Sequence, residues 1–284
     1  MKNNKTNIST AKKKEVLKLL KTIGIDTRFI SYTEDTIYIN DQRFSKFSKK
    51  RQETFKKYFP EMEVISSSIF QKICIRSSKV LSSNLVPKDS ILLLKPKNNV
   101  DNLLKIVLEP YSRKYGVKII ESESDDLYIN QYADKIAIDT IVKSTTLDEK
   151  VERLLSYIFS GNGIGKNIHK KENEKFKIIY PFINIPNDWI DVFFDEIQSN
   201  YKNTFLNTVN NTNKTTNKTT NKTNNKTNIN CENNNENNKK INNESYIIAK
   251  SFMEFLDNII PQYKENILKS DIFIENYVKN NAKN

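Results

Sequence analysis

The sequence predicts an α/β fold in which helices cover both faces of a parallel sheet. Short, β-branched apolar runs alternate with stretches whose apolar residues recur at helical spacing. This alternation is typical of a parallel sheet with right-handed crossover connections. The length of 284 residues is sufficient for one sizeable α/β domain and a smaller unit.

The first strand of the predicted sheet is the apolar run at residues 91–94, which stops before Pro96. A polar loop follows, and helical spacing begins at Val100 and continues to Tyr115, where Gly116 is a suitable helix terminator. In open α/β sheets, ligands bind at the carboxyl ends of strands, with phosphates at helix N-termini. This loop is therefore the first candidate site.

The later elements continue the alternation of strands and helices. Three further apolar runs predict strands, at residues 117–120, 135–142 and 176–180. Thr146 and Glu149 form a capping box, which predicts the start of an amphipathic helix at residues 147–159. Two more helices are predicted, at residues 186–197 and 245–260.

Residues 1–85 are predicted to form a small basic α+β unit and a linker. The unit contains a helix at residues 10–20 and a β-rich run at residues 36–39, and the strand-containing linker follows at residues 63–85. Residues 43–59 interleave basic and aromatic side chains, a pattern that suits phosphate contacts and base stacking. The favoured interpretation is an amphipathic helix that turns its aromatic residues toward the core, namely Phe47, Phe55, Tyr58 and Phe59.

Residues 203–243 consist mainly of Asn, Lys and Thr, with a tetrapeptide repeat that begins at Asn213. Ordering this tract would cost backbone entropy without burying apolar surface. We therefore expect a disordered insertion. It would separate the α/β domain at residues 86–202 from a C-terminal helical segment, residues 244–284, that completes the domain.

Charge and composition narrow the class of partner. The formal net charge is +12, from 46 Lys and Arg against 34 Asp and Glu, which favours polyanions such as RNA. Lysine bias across the whole chain explains the same number equally well. No apolar run approaches the roughly 20 residues of a membrane span, and no signal-peptide pattern is present. We expect a cytoplasmic protein without a membrane partner.

The reactive residue types exclude several kinds of site. Only two cysteines are present, Cys74 and Cys231, which excludes a disulfide framework and a four-cysteine zinc site. Cys74 lies among apolar residues and is expected to be a buried structural thiol. The single histidine, His169, excludes a multi-histidine metal site, and its position in a polar run argues against a histidine-based triad. The acidic residues 121–126 are expected to form a solvated loop, with a Mg²⁺ site as the alternative.

Three separated stretches carry a family resemblance. Residues 97–102 read Lys-Asn-Asn-Val-Asp-Asn, residues 148–153 read Asp-Glu-Lys-Val-Glu-Arg, and residues 180–182 read Tyr-Pro-Phe. In this order they resemble the Ser-Gly-Gly-x-Asp-Ser loop, the Asp-Asp-x-x-Glu-Thr helix start and the Arg-Pro-Leu stretch of PP-loop (N-type) ATP pyrophosphatases. The similarity is greatest to the tRNA-lysidine synthetases and tRNA-thiolation enzymes, and it covers roughly residues 89–270 without the insertion.

The resemblance implies an α/β/α sandwich of the HUP (adenine nucleotide alpha hydrolase-like) type that uses ATP and Mg²⁺. It implies tRNA or another RNA as a partner of the basic N-terminal region, and it allows a protein partner. Asp101 and Asp148 would then be the catalytic residues. The nucleotide-binding positions would be Lys97, Asn98, Asn99, Asn102 and Glu149. An active member would adenylate its substrate and release pyrophosphate.

Departures from the family pattern affect the loop most. Both glycine positions are asparagines, Asn98 and Asn99, whose side chains would crowd a pyrophosphate. Asparagine tolerates positive φ, so a phosphate-cradling turn remains an expectation. Both serines are replaced, and the paired cysteines of the thiolation enzymes are missing. We therefore predict weakened or lost ATP pyrophosphatase activity in a protein that acts in, or derives from, tRNA modification.

Three alternatives to that prediction remain. In the first, the chain is an active adenylating enzyme. In the second, it is a basic RNA-binding or partner subunit without ATP chemistry. In the third, it is an unrelated α/β domain. An unrelated domain predicts that the strand-end loop at Asn98 lies far from the one that leads to Asp148.

Overall fold

A computed structural model describes residues 3–33, 35–40, 47–123, 129–136, 138, 140–161, 176–209 and 236–281. The chain divides into two compact units. The core unit comprises Met1–Asp148 and Lys171–Phe194, and the C-terminal unit comprises Glu149–Lys170 and Asp195–Asn284. Among the helices in these described ranges, none combines the length and hydrophobicity that crossing a membrane requires.

The N-terminal part of the core unit is a small mixed sheet with helices. Its described elements are α1 (Asn3–Thr22), β1 (Ile30–Tyr32), β2 (Thr36–Ile39), α2 (Lys49–Tyr58) and β3 (Glu63–Ile65). The strand order is β1-β2-β3, with β1 antiparallel and β3 parallel to β2. Apolar residues of α1, α2 and the strands form one core, which includes Leu20, Ile37 and Phe55.

The amphipathic interpretation of residues 43–59 is confirmed for most of its aromatic residues; residues 43–46 lie outside the described residues, and the helix covers Lys49–Tyr58. Phe47 and Phe55 are buried and Phe59 is half-buried, whereas Tyr58 is 68% exposed, so its predicted core position was wrong. Ser48 begins α2, because its side chain accepts a hydrogen bond from the Arg51 backbone N–H.

The predicted linker at residues 63–85 is wrong over most of its length, which forms the 17-residue helix α3 (Ser68–Asn84). Ser67 begins the helix by accepting a 3.1 Å hydrogen bond from the Phe70 N–H. The buried residues recur at intervals of three or four positions, at Phe70, Ile73, Ser77 and Leu81. The β-branched residues of this stretch favoured a strand, but its burial pattern is helical.

The predicted parallel α/β sheet is confirmed. Its elements in chain order are β4 (Ser90–Leu94), α4 (Asn99–Tyr115), β5 (Lys118–Ser122), α5 (Ile129–Lys135), β6 (Thr140–Val142), α6 (Leu147–Phe159), β7 (Lys177–Ile179) and α7 (Asn187–Val209). The strand order is β5-β4-β6-β7 and every pair is parallel. The third predicted strand, residues 135–142, is shorter than expected because α5 extends to Lys135.

This strand order creates a topological switch point. From β4 the chain moves to one side to form β5 and then returns past β4 to form β6 and β7 on the other side. The connections that follow β4 and β6 therefore lead toward opposite sides of the sheet. Open α/β sheets form their ligand crevice at the carboxyl ends of two such strands. The loop after β4 is the one that the sequence identified.

The C-terminal unit is helical within its described residues. It contains the continuations of α6 and α7, together with α8 (Glu236–Asp257) and α9 (Tyr263–Asn281). The Phe159 and Phe252 rings pack edge to face, and the Tyr263 hydroxyl donates a 2.9 Å hydrogen bond to the Met253 carbonyl. The predicted insertion begins within α7 and ends within α8, and its middle lies outside the described residues.

Candidate functional site

The loop between β4 and α4 ends in a self-capped helix N-terminus. The Asn98 side-chain oxygen accepts a 2.9 Å hydrogen bond from the Asp101 backbone N–H, as an N-cap residue does. Asn98 has φ −143° and ψ −178°, which is extended backbone. The phosphate-cradling turn with positive φ is therefore wrong for Asn98, because capping α4 requires the extended conformation instead.

Asp101 links this loop to the one after β6. One carboxylate oxygen, Oδ2, accepts a 3.0 Å hydrogen bond from the Lys97 backbone N–H. The other, Oδ1, accepts a 2.6 Å hydrogen bond from the Ser144 hydroxyl. Ser144 follows β6, the strand beside β4, so the two loops meet at the switch point. The wide separation that the unrelated-domain alternative predicts for these two loops is not observed, although the loops that follow neighbouring parallel strands meet in any sheet of this order.

Ser144 was missed by the sequence reasoning. The signal for it was a polar residue immediately after an apolar strand, in the run Lys-Ser-Thr-Thr at residues 143–146. That signal has meaning only when β6 is known to pair with β4. Strand order of this kind does not follow from hydrophobic periodicity.

Asp148 occupies a different helix junction. It is the second residue of α6, and its Oδ2 accepts a 2.8 Å hydrogen bond from the backbone N–H of Asn187, the first residue of α7. The Leu147 N–H donates to the Ile185 carbonyl at 3.1 Å, so two hydrogen bonds join the start of α6 to the segment before α7. Asp148 thus supports a helix N-terminus, where a carboxylate is favourable.

Glu149, the next residue along α6, belongs to the C-terminal unit and is half-buried. Burial, the neighbouring Glu152 and, to a smaller extent, Glu149 raise the pKa of Tyr246 to about 12. The structure therefore places the charge of Glu149 near α8. Asn99 and Asn102, by contrast, are exposed in the first turn of α4, as is Lys97 in the loop before it.

The arrangement does not match a phosphate and Mg²⁺ site of the usual kind. A phosphate cradle needs unoccupied backbone N–H groups and no side chain over them, whereas Asn98 caps one such group and Asp101 accepts from another. Within the described parts of the chain, no three His, Cys, Asp or Glu side chains are close enough together to hold a metal ion. We therefore assign no reaction step to ATP or Mg²⁺.

The acidic residues beside the loop pair with lysines. Lys105 and Glu121 form a 2.8 Å ion pair, and Lys95 and Glu123 form one at 2.6 Å. Lys95 holds the pKa of Glu123 below its usual value, by a hydrogen bond first and by its charge second. The predicted loop at residues 121–126 was wrong for Glu121 and Ser122, which are the last residues of β5. Glu123 is exposed, as predicted, and residues 124–126 lie outside the described residues.

Cys74 is half-buried and lines a cleft beside α3, so the prediction of a buried thiol is met only in part. Desolvation raises the pKa of the thiol, which disfavours the thiolate that a nucleophile needs. Cys231 and His169 lie outside the described residues.

The sequence matches no protein-family model and no curated protein. Among solved structures, the chain is similar to the U34-tRNA thiolase NcsA from Methanococcus maripaludis, which was solved with its 4Fe-4S cluster. The two share 11% sequence identity at a TM-score of 0.45, over 73% of this chain and 79% of the thiolase chain. A similarity of this extent does not assign a function.

Proposed function

We propose that this chain is a PP-loop-like protein that acts in, or derives from, tRNA modification and whose ATP pyrophosphatase activity is weakened or lost. The motif order in the sequence and the position of the loop at the switch point support the PP-loop origin. One observation carries the loss of activity. The Asn98 side chain, at a position where the family has glycine, occupies the Asp101 N–H at the start of α4.

A bound phosphate and the Asn98 side chain would compete for one donor, the Asp101 N–H. A phosphate bound at a helix N-terminus takes its hydrogen bonds from the N–H groups of the first turn. At α4 it would have to displace the Asn98 oxygen from the Asp101 N–H and approach the Asp101 carboxylate. Displacement costs a satisfied capping bond, and approach brings two anionic groups together in the same turn.

Titration calorimetry with ATP and Mg²⁺, alongside an assay for pyrophosphate release, tests the proposal. We expect wild-type protein to bind ATP with a Kd of about 1 mM or weaker, a binding free energy of roughly −4 kcal/mol. Pyrophosphate release should stay at background. Micromolar binding with release of pyrophosphate would establish the active adenylating enzyme instead.

A glycine variant of the loop tests the reason for weak binding. Changing Asn98 and Asn99 together to glycine removes the competing oxygen, and we expect ATP affinity to rise about tenfold, the worth of one hydrogen bond to a charged group. The matched control is Asn98→Ser, which keeps a capping oxygen and should retain wild-type affinity. Equal affinities for the glycine and serine variants would show that the cap does not limit binding.

A further inference from the structure

A cleft in the core unit lies at the opposite end of α4 from the candidate loop. It has a volume of about 200 Å³ and lies among the 3₁₀ turn at Thr27–Phe29, helix α3 and the last turns of α4. Asn98 and Tyr111 are thirteen residues apart, which separates loop and cleft by roughly 20 Å along the helix axis. The cleft is therefore a site in its own right.

Aromatic and basic side chains line this cleft. Phe29, Tyr111 and Tyr115 supply rings, and no carboxylate is among the lining residues. Lys114 supplies positive charge, whereas the charge of Arg28 is paired with Asp26. The Tyr111 and Tyr115 ring centroids are 5.8 Å apart. Burial raises the pKa of Tyr111 to about 12, so the Tyr111 hydroxyl remains protonated and neutral. The volume lies below the roughly 300–1,000 Å³ of drug-sized sites, so it suits a single planar group.

Helix α3 carries a basic stripe beside the cleft, defined as Lys72, Arg76 and Lys79. These residues follow one another at intervals of four and three positions, so they share one face of α3, and the helix contains no Asp or Glu. Lys72 and Lys79 are exposed, and neither forms an ion pair with a residue in the described ranges. A row of cations of this kind is suited to the phosphates of a nucleic-acid strand.

Trp189 holds the middle of the stripe in place. The Arg76 guanidinium lies 4.2 Å from the centroid of the Trp189 ring, and its Nη1 donates a 2.6 Å hydrogen bond to the Asn184 carbonyl. The Lys72 ammonium is 5.9 Å from the same ring. Cation–π stacking and the backbone hydrogen bond reduce the side-chain entropy that Arg76 would lose on binding.

We propose that the cleft and the basic stripe form a binding site for single-stranded RNA, in which the cleft takes one unpaired base and the stripe takes the adjoining phosphates. Cleft-lining residues and stripe residues lie on neighbouring faces of α3, since Ile75 and Ser78 face the cleft. Base stacking on aromatic rings beside a cationic track is the usual arrangement for single strands. The site deepens the RNA part of the proposed function but uses none of the residues of the ATP loop.

Fluorescence titration tests this site directly, because Trp189 is the only tryptophan in the sequence. The probe is a uridine RNA of about twelve nucleotides, within the span of single-stranded sites. We expect RNA to change the Trp189 emission and to bind with a steep dependence on salt. Absence of binding at low salt overturns the proposal. Equal or tighter binding of a DNA strand of the same length would overturn the assignment to RNA.

A matched pair of variants locates the phosphate contacts. The double variant Lys72→Gln, Lys79→Gln should make the slope of log affinity against log salt less steep by about 1.4, since each single-strand phosphate contact contributes about 0.7. The control, Lys250→Gln on α8 with Lys269→Gln on α9, removes the same charge from two exposed lysines outside the N-terminal region. Equal losses in the two variants would reduce the effect to net charge and overturn the stripe.

Tyr115 tests the cleft. It is 42% exposed at the cleft, so Tyr115→Ala should fold and should weaken RNA binding about tenfold with an unchanged salt slope, as loss of one stacked base does. Tyr115→Phe keeps the ring and should bind as wild type. If polyglutamate, which has negative charges but no bases, displaces the bound RNA as effectively as a second RNA strand does, the base-binding part of the proposal is contradicted. An Asp101→Ala variant should bind RNA normally, which separates this result from the ATP measurement.

Discussion

Replacing Phe70 with alanine is expected to lower the free energy of unfolding by about 3–5 kcal/mol, the usual cost of deleting a fully buried ring. Phe70 has no exposed surface. Its ring stacks on that of Phe193 with centroids 5.0 Å apart and lies 5.5 Å from the Tyr38 ring. These three rings join α3, α7 and β2, so the cavity would open where three elements meet. Urea denaturation followed by circular dichroism measures the change.

An aromatic residue on the surface provides the control. Tyr58 is 68% exposed at the end of α2, so Tyr58→Ala should change the free energy of unfolding by no more than about 0.5 kcal/mol. If the two variants lose similar stability, the packing of Phe70 between the sheet and the helices does not hold the core unit together. An unchanged denaturant slope in both variants would confirm that stability, and not the extent of unfolding, has changed.

Elements with strong local signals could be predicted from the sequence. Helix α4 has regular apolar spacing and a terminating Gly116, which has φ +70°, a conformation that other residues rarely adopt. Helix α3 was missed because the β-branched residues Ile73 and Ile75 favoured a strand. The helical spacing of Phe70, Ile73 and Leu81 was present in the sequence, and it was the correct signal. The contacts of Phe70 with Tyr38 and Phe193, which are far away in sequence, could not be predicted from it.

The candidate site divides in the same way. Local signals were sufficient to identify the strand-end loop and the place of Asp101 in the first turn of α4. The hydrogen bond from Ser144 to Asp101 depends on the pairing of β4 with β6, which no local pattern encodes. The conformation of Asn98 was misjudged because two roles compete for asparagine. It tolerates positive φ in turns and it also caps helices, and here capping prevails.

A cluster of half-buried charges and backbone groups joins the small N-terminal sheet to α4. Arg113 donates to the Thr27 and Ile30 carbonyls at 3.0 and 2.8 Å, and its Nε donates to Glu109 at 2.8 Å. Glu109 also accepts a 3.1 Å hydrogen bond from the Tyr32 N–H. The Arg113 and Glu109 side chains are only 14% and 12% exposed, so water reaches them poorly.

Arg113→Met is therefore expected to cost about 3 kcal/mol of unfolding free energy, because it leaves the Thr27 and Ile30 carbonyls without their donor. It also removes one partner of the Glu109 carboxylate, which keeps the Tyr32 N–H and the Lys13 ammonium. Calorimetric or urea unfolding measures the loss. The control is Arg28→Met, which breaks an ion pair with Asp26 whose arginine side chain is 58% exposed, and it should cost much less stability than Arg113→Met. Equal costs for the two arginines would show that burial of the Arg113 pair adds nothing.

The same variant connects stability to binding. The Thr27 and Ile30 carbonyls flank the turn that carries Phe29, one wall of the proposed RNA cleft, and Arg113 attaches that turn to the opposite wall on α4. Under conditions where Arg113→Met remains folded, we expect the wall to shift and RNA affinity to fall several-fold. ATP binding at the other end of α4 should not change. Wild-type RNA affinity in a folded Arg113→Met protein would show that the cleft does not depend on this attachment.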